Sequence, residues 1–126
     1  MSRTAAVPSS HAAEDSLADI IENAERIAAY VAGKDQAALA ADGMLRDALE
    51  RCLERICEAT VRLGDSAENL MPGHPWRDIR AMGNRLRHAY DRLDATILWN
   101  TTTQRVPALA ADARSALRSL ADGLRS

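Results

Sequence analysis

Apolar residues recur at steps of three and four through most of the chain, the period that lines one face of an α-helix. Leu17, Ile20, Ile21, Ala24, Ile27, Ala28 and Val31 form the first such face. Asp15 or Ser16 can cap this helix and Gly33 is a natural stop. A second stripe, Leu45, Leu49, Cys52, Leu53, Ile56, Thr60 and Leu63, predicts a helix from after Asp35 to about Leu63. A bend is expected near Gly43, because glycine is the weakest ordinary residue in a helix interior. Residues 64–74 are rich in glycine, serine, asparagine and proline and predict a connecting loop. Pro75 suits the first turn of a third helix reaching about His88, with Ile79, Met82 and Leu86 inward. Asp94 can cap a fourth, whose apolar face starts at Ile97 and Leu98. Pro107 interrupts or restarts it, and Leu109, Ala113, Leu117, Leu120 and Leu124 continue the face. The pattern predicts an all-α bundle of four to five helices, the first two long and antiparallel.

Composition supports the helical reading. Alanine and leucine are abundant, phenylalanine is absent, and there are two tryptophans and two tyrosines, so helix formers far outnumber strand formers. A length of 126 residues allows one domain with its own core. Residues 1–13 lack the helical period and are expected to be a disordered tail, with residues 14–126 forming the domain. Trp76 and Trp99 fall at apolar steps and are expected to anchor packing.

Net charge is −2, so there is no basic excess to drive sequence-independent nucleic-acid binding. Charge is uneven, however. Arg77, Arg80, Arg85, Arg87 and Arg92 crowd one short stretch, so any RNA contact must be local. The carboxylates Asp47, Glu50, Glu54 and Glu58 align at helical steps, but Arg46, Arg51 and Arg55 interleave with them. Solvated ion pairs are expected there rather than a metal site. Cys52 and Cys57, about 140° apart around one helix, cannot bridge each other. With no metal-type spacing, apolar signal core or long apolar run, the chain is expected to be cytoplasmic, without membrane, metal or cofactor.

The chemically informative stretch is Arg80-Ala81-Met82-Gly83-Asn84-Arg85-Leu86-Arg87-His88-Ala89-Tyr90-Asp91. Histidine is the side chain whose ordinary titration lies closest to neutrality, and arginines beside it can hold phosphate. The stretch resembles the signature of HEPN proteins of the HepT-like family, in which Asn84, His88 and Tyr90 match the polar, histidine and tyrosine positions. Ser16-Leu17-Ala18-Asp19-Ile20-Ile21, residues 30–33, Arg51, Ile56-Cys57-Glu58-Ala59, Leu98-Trp99-Asn100-Thr101 and Val106-Pro107-Ala108-Leu109 extend the likeness over about residues 16–120.

The resemblance implies a HEPN-type bundle and the toxin half of a toxin–antitoxin pair, a metal-independent ribonuclease working as a homodimer. It implies His88 as the proton-moving residue with Asn84 in support. It also implies Tyr90 as the site adenylylated by a cognate nucleotidyltransferase antitoxin of the MntA-like kind. One departure matters: the family's arginine, five residues before the histidine, is Gly83 here. On a continuous helix Arg85 lies on the side of His88 and is the first substitute, unless it pairs with Asp91 or Asp94. Arg80 and Arg87 are further candidates for binding RNA. Arginine restored at Gly83 should raise activity if the fold tolerates it. The alternative is a catalytically silent HEPN module that binds the nucleotidyltransferase and is modified by it.

Overall fold

The computed structural model describes residues 10–88 and 93–125, and these are helical apart from short connections. Helix α1 is Ser10–Val31, α2 Gln36–Ala41, α3 Gly43–Leu63, α4 Ser66–Leu70, α5 Trp76–Arg87, α6 Ala95–Asn100 and α7 Val106–Arg125, with a π-helical turn at Thr101–Arg105. Helix α1 packs chiefly on α3 and α7, and α5 packs on α3. The all-α fold class is the expected one.

The stripes find their core. Leu17, Ile20 and Ile27 of α1 meet Leu49, Cys52, Leu53, Ile56 and Leu63 of α3 and Val106, Leu109 and Ala113 of α7 in one buried cluster. Helices α1 and α3 run antiparallel: Asp19, midway along α1, binds Arg62 near the end of α3 at 2.6 Å, and Arg26, further along α1, lies by Cys52, earlier on α3. Trp76 is buried, and Trp99 packs against the core from the edge.

Three local expectations change. Helix α1 begins by Ser10, with Ala13 buried, so residues 10–13 belong to the fold and not to a tail. The expected bend near Gly43 is a full break one residue earlier. Asp42 is extended there, ends α2, and caps α3 by accepting the Leu45 N–H at 3.1 Å. Within the expected loop after Leu63, residues 66–70 form a short helix that buries Ala67. Pro107 restarts the helix, one of the two outcomes expected of it: α7 begins at Val106, the turn before it widens, and the Val106 N–H reaches back five residues to the Thr101 carbonyl. Thr102 and Thr103 hydroxyls in that turn donate back to the Leu98 and Trp99 carbonyls of α6.

Both cysteines are free and buried. Burial pushes the Cys57 thiol up to about 11, and its Sγ lies 3.6 Å from the Ile79 carbonyl of α5. Among the described residues no group of His, Cys, Asp or Glu is placed to hold a metal, and no helix is long and apolar enough to cross a membrane. The tail of residues 1–9, the side chain of Leu124, and Tyr90 with Asp91 lie outside the described residues.

Candidate functional site at the end of the fifth helix

Helix α5 is oriented from its first turn. Trp76 is buried and donates its indole N–H to the Met71 carbonyl at 3.2 Å. His74 meets the Trp76 ring edge-on and binds Asp112 of α7 at 2.6 Å, tying the entry of α5 to the last helix. Ile79, Met82 and Leu86 then pack against the core, as their spacing predicts. The opposite face carries the polar motif to the surface.

Gly83 is buried between α5 and α3. A Cβ built there would stand 2.9 Å from Cys57 Cβ and 3.5 Å from its Sγ. The close approach of two helix backbones requires glycine at this position. The expectation that arginine could be restored here is therefore corrected: its first side-chain carbon already collides with α3.

Asn84, Arg85, Arg87 and His88 are all exposed at the C-terminal end of the helix. Arg87 turns back by one helical turn, its Nη1 donating to Asn84 Oδ1 at 2.6 Å. Its Nη2 lies 4.0 Å from the point where a Gly83 Cβ would be. The guanidinium closest to the glycine thus comes from Arg87 and not from Arg85, the substitute expected from the sequence. Arg85 makes no ion pair among the described residues, and Asp94 is occupied as the cap of α6, accepting the Ile97 N–H at 2.9 Å. Arg80 is bound to Glu68 at 2.6 Å, which offsets its charge.

His88 ends α5, its backbone N–H donating to the Arg85 carbonyl at 3.1 Å while its own backbone turns extended. The chain re-enters the described structure at Leu93. The carboxylates expected to be merely solvated divide there. Glu54 pairs with Arg51 at 3.3 Å, whereas Glu50 accepts the Leu93 N–H at 3.2 Å. Arg46 donates to the Leu93 carbonyl at 3.1 Å. Sequence spacing carried no signal for either contact, because each joins side chain to backbone over more than forty residues.

A polar groove between α1 and α3, bordered by Asp19, Asn23, Arg26, Arg55, Glu58 and Arg62, shares no residue with this motif. The motif itself is an open helix end with an exposed imidazole, amide and two guanidiniums, of which Asn84 and Arg87 are bound to each other.

The family model described as "Ribonuclease HepT-like" matches residues 20–116. A Thermococcus cleftensis protein named "Probable ribonuclease HepT" is 32% identical over 96 residues, covering 76% of this chain and 87% of its own length. A Methanocaldococcus jannaschii protein named as a "Putative RNase" is 30% identical over 91 residues, covering 72% of this chain and 84% of its own. No solved structure matches the chain significantly. With its motif, its helical fold and these relatives in agreement, the chain belongs to the HepT-like ribonuclease family.

Proposed function

We propose that this chain is a HepT-like toxin that cleaves RNA without a metal ion, as a homodimer, with His88 as the proton-moving residue. The observation that carries the reading is the exposed helix end on which Asn84 holds Arg87 by a 2.6 Å hydrogen bond beside Gly83. In this reaction the ribose 2′-oxygen gives up its proton and bonds to phosphorus as the bond to the 5′-oxygen breaks. The leaving oxygen takes a proton, and a 2′,3′-cyclic phosphate remains. His88 moves these protons, and Arg87 with Arg85 holds the charged phosphate. Arg87 thereby stands in for the arginine that has no room at Gly83.

An open helix end on one protomer does not enclose a phosphate, so the reading requires a second surface. A partner copy would bring a second set of arginines to a common cleft and supply the local charge that the net charge of −2 does not. Light scattering at tens of micromolar is expected to give twice the 13.7 kDa chain mass. A monomer at that concentration removes the shared cleft.

The test of cleavage is incubation of purified protein with end-labelled RNA in excess chelator. Fragments ending in cyclic phosphate are expected. Intact RNA after incubation with folded, dimeric protein turns the reading to its rival, a silent HEPN module, which the glycine at the arginine position favours.

Either reading keeps a nucleotidyltransferase antitoxin as partner and Tyr90 as its target. The phenol gives up its proton, its oxygen bonds to the α-phosphorus of ATP and pyrophosphate leaves, adding a phosphate charge close in sequence to Arg85 and Arg87, which would compete with RNA phosphate. Mass spectrometry after incubation with the partner and ATP is expected to find adenylyl groups on Tyr90 and none on Tyr90→Phe. A label confined to another residue removes Tyr90 from the regulation.

A further inference from the structure

Asn23 falls on the inward face of α1, between Ile20 and Ile27, and is only 6% exposed. Its Nδ2 donates to the Asp19 carbonyl at 2.9 Å, and turning the amide over would set oxygen against oxygen. Asn23 Oδ1 is therefore an acceptor, closed to solvent and without a donor among the described residues. A buried acceptor left unmatched costs stability, so folding alone gives no reason for an asparagine at a position where an apolar residue would serve. Asn23 is the buried residue of the polar groove between α1 and α3, whose volume is about 280 Å³. The side chains around it are three guanidiniums and three carboxylates. Four of these are matched, Arg62 with Asp19 at 2.6 Å and Arg26 with Glu22 at 3.1 Å. Arg55 and Glu58, three residues apart on one side of α3, make no ion pair among the described residues.

We propose that this groove binds a free α-amino acid, whose ammonium group donates to Asn23 Oδ1 and Glu58 and whose carboxylate is held by Arg55. The unmatched groups ask for an N–H donor at the floor, a positive charge for Glu58 and a planar anion for the guanidinium fork, at the short spacing of residues one helical turn apart. An α-amino acid joins all three within a few atoms. Equal numbers of positive and negative side chains favour a ligand without net charge over a phosphate, and no apolar or aromatic residue lines the groove to stack on a nucleotide base. Arg26 and Arg62, each about half exposed and held by one carboxylate, can swing aside as the ammonium reaches the oxygen. The groove shares no residue with the motif of Asn84 and His88, so the proposal stands apart from the reading of the chain as a ribonuclease.

The test titrates the isotope-labelled full chain with the common L-amino acids one at a time, and with acetate, ethylamine and AMP, all in the millimolar range. Nuclear magnetic resonance follows the Asn23 side-chain amide and the Arg55 guanidinium. At least one amino acid is expected to shift both groups saturably. Acetate and ethylamine each carry one half of the charge pair and are expected to bind at least about tenfold more weakly. Arg55→Ala, which leaves the core untouched, is expected to weaken amino-acid binding about tenfold or more. Asn23→Leu and Asn23→Val are expected to weaken it likewise, and at least one of them to raise the thermal midpoint, because the unmatched acceptor is gone. Lower midpoints in both would mean that the asparagine serves the core, and would overturn the proposal. So would the absence of a saturable shift with every amino acid, tighter binding of AMP at the same two groups, or equal binding by the parent and Arg55→Ala.

Discussion

Alanine in place of His88 is expected to lower cleavage of labelled RNA by about 10²- to 10⁴-fold, the usual share of a positioned proton-transfer group. The fold should not notice the change. His88 is exposed, and among the described residues its hydrogen bond at the helix end is made by the backbone N–H, which alanine retains. Unfolding free energy is expected to stay within about 0.5 kcal/mol of the parent, as for other surface substitutions. The loss would then be chemical and not structural. Chelator should leave the parent rate untouched, because the described motif offers imidazole, amide and guanidinium groups. Equal cleavage by the parent and His88→Ala, with both folded, would remove the histidine from the mechanism.

Arginine in place of Gly83 is expected to destabilise the domain by roughly 3 kcal/mol or more, at the upper end of what overpacking costs. The reason is the 2.9 Å approach of the built Cβ to Cys57 Cβ, an atom fixed to the backbone of α3. A flexible side-chain tip could step aside, but here the helices must part. Alanine tests the same contact more gently. It gains about 1 kcal/mol of helix propensity over glycine and loses about 1–3 kcal/mol to the collision, so a net loss near 1 kcal/mol is expected. Cys57→Gly removes the opposing carbon, and a double-mutant cycle with Gly83→Ala should show a favourable coupling. Denaturant unfolding measures all four corners. A Gly83→Arg protein as stable as the parent would mean that the contact between Gly83 and Cys57 does not hold α5 against α3.

These two expectations mark where the chain and its fold contribute separately. The apolar steps at Leu17, Ile20, Ala24 and Ile27, and again at Leu49, Cys52, Leu53, Ile56 and Leu63, are buried as read, because a period of three and four can be satisfied only by burying one face of a helix. The stop after α1 was legible for a similar reason: Gly33 has φ +72°, a conformation that glycine adopts readily. The caps at Asp35 and Asp94 follow from side chains that reach only three residues along their own helix.

The break at Asp42 was less legible, because aspartate at a helix end and aspartate within a helix look alike until the following N–H finds its acceptor. The widened turn before Pro107 likewise depended on Thr102 and Thr103 hydroxyls taking carbonyls of the same helix. Tyr90 could be recognised from its place after His88, and its surroundings lie outside the described residues.

By itself, the sequence determined the helical class, the inward faces, some helix limits and the motif of Asn84, His88 and Tyr90, since each depends on spacing within one helix or loop. Tertiary structure alone decided three things: that Gly83 is held against Cys57, that Arg87 is the guanidinium nearest the glycine, and that Arg46 and Glu50 grip Leu93. Two of these join residues more than twenty positions apart, and the third depends on which rotamer a long side chain takes beside its neighbour. Local periodicity says which face of a helix turns inward, but not which atom on another helix it meets there.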